Sequence, residues 1–117
     1  MTAEEAVAVI VSFPEVTEGT AWGKPAYKAM GKFFTRLRAE DDSLVLMDVG
    51  FDEREMLIDV EPATFHLTDH YRNYPAVLAR IATLDPGTLR GLLERRWRKL
   101  ATKTQLKAYQ AERDRQL

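Results

Sequence analysis

The spacing of apolar residues changes period twice along these 117 residues, and that change constrains the fold more than any single motif. Near the start, Ala6, Val9, Ile10 and Phe13 recur at three and four residues, which puts them on one face of a helix. From Thr20 to Val49 the chain turns to aromatic and β-branched residues broken by Gly23, Pro25, Gly31 and the acidic run Glu40 to Asp42, the pattern of strands and tight turns. After Asp85 the helical spacing returns in Leu89, Leu92, Leu93, Arg96, Trp97 and Leu100. A chain with helical ends and a strand-like middle buries its apolar faces by laying helices on an antiparallel sheet, so the class is α+β.

Local signals set the expected elements. Thr2 and Glu5 have capping-box spacing, and Pro14 stops the helix that they open, giving a helix over about 3 to 12. Ala26 to Met30 and Lys32 to Arg38 flank Gly31 as a hairpin, and Leu44 to Met47 follows the acidic turn as a third strand. Asp52 caps a helix of one or two turns through Arg54, Met56, Leu57 and Ile58, which ends before Pro62. Thr64 to Leu67 and Pro75 to Ile81 read as two more strands. Asp85 followed by Pro86 starts the long helix, and Thr104 caps a last one carrying Leu106 and Tyr109, with Gln110 to Leu117 a polar end that frays. The expected order is α-β3-α-β2-α, with about five strands in one sheet. Residues 1–103 form the domain and residues 104–117 a helical, polar tail.

Several function classes are poorly supplied. There is no cysteine, hence no disulfide, thiolate metal site or cysteine nucleophile. The glycines are scattered and form neither a phosphate loop nor a dinucleotide fingerprint. Ser12 and Ser43 lack a nucleophile elbow, and carboxylate pairs such as Asp41 with Asp42 fall in polar turns. His66 and His70 have HxxxH spacing, but Phe65 and Leu67 alternate with His66 as in a strand, and no third ligand stands at motif spacing. Trp22 and Trp97 are expected in or beside the core. The expectation is a non-enzyme without cofactor, metal or catalytic residues. The apolar run Ala6 to Phe13 is far short of the ~20 residues of a membrane span, and Glu4 and Glu5 replace the basic start of a signal peptide. A cytoplasmic protein with no membrane contact is expected.

Charge is segregated. Residues 1–85 hold 8 Lys and Arg against 15 Asp and Glu, a net of −7, while residues 86–117 hold 9 against 3, a net of +6. The basic segment can attract a polyanion or its own acidic half. In the hairpin region Lys28, Lys32, Phe34, Arg36 and Arg38 share even parity, so strand alternation gives one basic face with an aromatic on it, and Lys24 extends it. Phe33, Thr35 and Leu37 then face the core. Arg95, Arg98 and Lys99 on the long helix offer a second patch, although cations there also favour the helix dipole. Arg54 is read as an inward salt-bridge partner for the acidic half, and His70, Tyr71 and Tyr74 as packing residues that line a groove.

Four stretches carry a family resemblance over about residues 3–103. They are Trp22-Gly-Lys-Pro-Ala-Tyr-Lys-Ala-Met-Gly-Lys-Phe-Phe34, Arg54 ahead of Met56-Leu57, His70-Tyr71 with Tyr74-Pro75, and Asp85-Pro-Gly-Thr-Leu89 through Trp97. Together they resemble the MmcQ/YjbR-like family of small bacterial proteins. The resemblance implies an α+β domain of secretion-chaperone-like or CyaY-like type, and DNA binding through a proposed double wing of hairpins. On this sequence the contacts would fall to Lys24, Lys28, Lys32, Phe34, Arg36 and Arg38, flanked by Arg95, Arg98 and Lys99. Two alternatives stand beside it: a protein-interaction or chaperone-like module using the sheet and groove, and a small-molecule binder near Arg54, His70, Tyr71 and Tyr74.

Overall fold

The computed structural model describes residues 1–117. Its α+β class matches the expectation, with four α-helices and two antiparallel sheets. Helix α1, Ala3–Val11, opens on the Thr2 and Glu5 capping box, in which each side chain accepts from the other's backbone N–H. Strand β1, Val16–Ala21, was not foreseen: it is an edge strand whose exposed Thr17 and Glu18 give no apolar alternation. It pairs with β2, Lys24–Ala29, which pairs with β3, Lys32–Thr35. Both hairpins turn on two residues with positive φ, Trp22 (53°) with Gly23 (72°) and Met30 (52°) with Gly31 (76°). This is the turn form whose twist suits antiparallel strands.

The single five-stranded sheet is corrected to seven strands in sheets of three and four. The second sheet runs β4, Leu37–Arg38, then β5, Ser43–Met47, then β7, Ala76–Arg80, then β6, Phe65–His66. The chain passes from one sheet to the other at Thr35 and Arg36. There the Thr35 hydroxyl donates to the Val45 carbonyl (2.7 Å), and the Val45 N–H donates to the Arg36 carbonyl (3.0 Å). A bulge causes the change of direction. Lys28 stands opposite Phe33 but Tyr27 opposite Thr35, so Phe34 is an extra residue on β3. Arg96 clamps it, donating from Nε (3.0 Å) and Nη2 (2.5 Å) to the Phe33 carbonyl.

Helix α2, Phe51–Val60, is longer than the one or two turns expected, and Gly50, not Asp52, is its N-cap. Helix α3, Pro86–Leu100, begins as read, with the Asp85 carboxylate accepting from the Thr88 N–H and proline at the first position. Helix α4, Lys103–Gln116, starts at Thr102, not Thr104, because Thr102 and Gln105 form the capping box. It holds its helix through the segment expected to fray. Core side chains Ile10, Phe13, Phe34, Leu44, Val77, Leu89, Leu93 and Trp97 join helices and sheets. Trp97 is fully buried, as expected, and its indole donates to the Pro14 carbonyl (2.8 Å). Tyr109 of α4 packs against Trp97 (centroids 4.6 Å) and Phe13 (6.2 Å), which fastens the last helix to the domain.

Candidate functional site

The bulge at Phe34 undoes the shared parity of the hairpin cations. Phe34 is in the core, edge-on to Phe13 (5.7 Å), and so leaves the proposed nucleic-acid face. Arg36 is buried as well, at 6% exposure, while Phe33 is only partly covered. Carboxylates claim most of the expected contacts. Lys24 pairs with Glu40 (3.4 Å), Arg36 with Glu40 (2.9 Å) and Arg38 with Asp41 (3.2 Å). On α3, Arg95 pairs with Glu53 (2.7 Å), Arg98 with Glu94 (2.9 Å) and Lys99 with Asp48 (2.9 Å). Lys28 and Lys32 alone among these eight cations have no ion-pair partner.

A different constellation forms where the β1–β2 turn meets the loop before β7. Trp22, expected in or beside the core, sits at the hairpin tip and is 53% exposed. Its ring lies tilted on Phe33 (5.3 Å) and edge-on to His70 (5.4 Å) and Tyr71 (6.1 Å). His70 in turn stacks on Tyr74 (6.0 Å). Beside them opens a cleft of about 240 Å³, lined by Ala21, Trp22, Lys24, Arg36, Arg38, Glu40, His70 and Tyr71. Three cations and one carboxylate face it. The cations hold the Glu40 carboxyl down to about 2, foremost through the hydrogen bonds from Arg36, so it is ionised at neutral pH.

Arg54 shapes this site from behind. It is buried, at 7% exposure, and has no carboxylate partner, contrary to the salt bridge expected. Its guanidinium instead donates to the carbonyls of Tyr71 (3.3 Å), Arg72 (3.0 Å), Tyr74 (2.9 Å) and Ala76 (3.2 Å). Phe51 covers the cation with its ring (4.8 Å). These bonds hold the 3₁₀ turn Asp69–Tyr71 and the following loop in the shape that presents His70, Tyr71 and Tyr74.

Ser43, His66 and Asp41 also meet, but not as a catalytic relay. The Ser43 hydroxyl lies 2.8 Å from His66 Nε2, and Asp41 approaches that same nitrogen (3.9 Å), so no carboxylate orients the opposite ring nitrogen. Ser43 is fully buried. Burial and the nearby Arg80 lower the His66 pKa, despite the opposing pull of Asp41. His66 stands on β6 and His70 on the 3₁₀ turn, each with its own neighbours, so their spacing does not place them on one helix face.

Trp22 and Glu40 are the functional candidates that sequence reasoning missed. Trp22 was missed because β1 was: with no strand expected before it, Trp22-Gly23 was not read as the tip of a two-residue turn, which projects from the body. Glu40 was hidden among the acids of a polar turn: Arg36 and Arg38 are near it in sequence, but Lys24, sixteen residues earlier, reaches it only through the fold.

The fold and the cleft define a small α+β domain with an aromatic, cation-lined cleft. The YjbR family profile matches residues 11–99, and the chain belongs to that family, also called MmcQ/YjbR. Similar proteins include the uncharacterised Rv2570 and MT2646 of Mycobacterium tuberculosis and Mb2600 of Mycobacterium bovis. Each is 31% identical over 94 residues, covering 78% of this chain and 73% of the relative. No solved structure matches. No helix is long and apolar enough to cross a membrane.

Proposed function

We propose that this YjbR-family chain is a non-enzymatic binding protein that takes an unpaired nucleotide, free or within single-stranded DNA, in the Trp22 cleft. The observation that carries this reading is the half-exposed Trp22 ring standing beside Lys24, Arg36 and Arg38. A flat base stacks on an exposed aromatic, and its phosphate is drawn by cations, without either contact requiring a particular sequence. The volume supports a group of this size: about 240 Å³ lies below the ~300 Å³ at which pockets for whole drug-sized ligands begin. Duplex binding by the hairpin cations has weaker support, because only Lys28 and Lys32 are free to neutralise phosphates. Two phosphate contacts would give a salt slope of only about −2 on B-DNA.

Fluorescence anisotropy with a labelled single strand and its duplex, over a salt series, tests the proposal. The single strand binds more tightly than the duplex, and Trp22→Ala weakens it by roughly 5- to 150-fold, the equivalent of ~1–3 kcal/mol of stacking. Equal binding of the duplex that depends on Lys28 and Lys32 but not on Trp22 would overturn it, as would no binding of either form at low salt.

A further inference from the structure

Arg36 is the one cation of the cleft with a buried donor left unpartnered. Its Nε is buried and has no partner. Its Nη2 donates to both Glu40 oxygens, each at 2.9 Å, so one nitrogen serves the whole carboxylate. In a guanidinium the Nε–H and one Nη2–H lie parallel along the same edge, and an anion with two oxygens engages that edge with two separate bonds. Glu40 therefore meets half of an edge that a better-placed anion would use in full. A buried donor left without a partner is unfavourable, which favours any occupant that supplies the missing acceptor.

The remaining surroundings suit exchange. Glu40 follows β4 in the turn before β5, and its side chain is 41% exposed, so it can swing to solvent without moving a strand. Lys24 and Arg38 also face it, at 3.4 and 4.0 Å, and Asp41 draws Arg38 from the other side. With Glu40 displaced the cleft presents Lys24, Arg36 and Arg38 to an incoming anion, and the Trp22 ring forms an adjoining wall.

We infer that Glu40 is a built-in competitor: it occupies the anion seat of the cleft, and a ligand carrying a phosphate next to a flat ring displaces it to take the Nε–Nη2 edge of Arg36. The inference rests on the cleft reading above and adds to it how the empty site is held and why affinity is restrained. It also fixes the geometry of the ligand, whose anion and ring must lie close enough to reach Arg36 and Trp22 together.

Isothermal titration with phenyl phosphate, and with inorganic phosphate for comparison, separates the two claims. Glu40→Gln binds phenyl phosphate about tenfold more tightly than the unaltered protein, and Asp42→Asn, which removes a nearby charge outside the cleft, changes affinity less than twofold. Adding Trp22→Ala to Glu40→Gln removes the advantage of phenyl phosphate over inorganic phosphate. If the unaltered protein binds phenyl phosphate but Glu40→Gln binds it no better, or no better than Asp42→Asn does, the competitor role is wrong and the cleft reading stands. If neither protein binds phenyl phosphate, the cleft reading itself fails. Circular dichroism of the Glu40→Gln protein, whose substitution lies in an exposed turn, keeps a folding defect distinct from either result.

Discussion

At the scale of single residues, two arginines do opposite work. Arg54 carries a buried charge satisfied only by backbone carbonyls. Hydrogen bonds to charged groups contribute ~1.5–3 kcal/mol each and are not additive, so Arg54→Ala is expected to cost at least ~3 kcal/mol in urea unfolding. Arg54→Lys should recover little, because an ammonium cannot fork among carbonyls from four residues. Arg36 instead meets a carboxylate that it does not fully match. Its pairing lowers the Glu40 pKa from 4.5 to about 2, which fixes the sign of the acid response. A carboxyl with a depressed folded-state pKa stabilises the fold above its unfolded value and loses that contribution as pH falls through the folded one. The Glu40 contribution is therefore present above about 4.5 and gone below about 2. An NMR titration of the Glu40 side-chain carboxyl carbon should show its midpoint near 2, and a midpoint near 4.5 would mean that the Arg36 contact is absent in solution.

Among the α-helices, the last is the one with no buried residue. Tyr109 supplies its aromatic contacts with Trp97 and Phe13. Burial of an aromatic ring and its aromatic pairings together suggest a loss of roughly 2–3 kcal/mol for Tyr109→Ala. Hydrogen exchange should then show α4 amides losing protection before those of α3. Helices α1 and α3 were readable because capping residues, proline and a 3.6-residue stripe agree on them. Strand β1 was not, because an exposed edge needs no apolar face; β6 falls within the strand expected over Thr64 to Leu67, and β4 ends the run expected over Lys32 to Arg38, whose break at Arg36 the pattern did not show. The position of Phe34 was hidden for a different reason. A bulge is a property of strand pairing, and one extra residue reverses every side chain beyond it. The basic face expected from parity depended on the register that this bulge breaks.

For the whole molecule, the opposed charges of the two segments meet in three ion pairs at the long helix. Arg95 reaches Glu53, and Arg96 and Lys99 converge on Asp48, so the basic long helix is tied to the acidic part of the chain. The arithmetic of −7 and +6 was plain in the sequence, but the choice between an external polyanion and internal pairing needed the tertiary arrangement. Exposed members of these pairs are worth ~0–1 kcal/mol each, so raising salt should lower the unfolding free energy only slightly. The resemblance in the Trp22 to Phe34 stretch led to the right family, and of the six residues it suggested on the wings Phe34 is buried and Lys24, Arg36 and Arg38 are ion-paired, which leaves Lys28 and Lys32. The most direct test of the Trp22 cleft uses the two indole N–H resonances of the ¹⁵N-labelled protein, one from exposed Trp22 and one from Trp97 bonded to Pro14. Titration with thymidine 5′-monophosphate should move the Trp22 resonance in a saturable way and leave that of Trp97 in place; a Trp22 resonance that stays fixed to millimolar ligand would contradict the account.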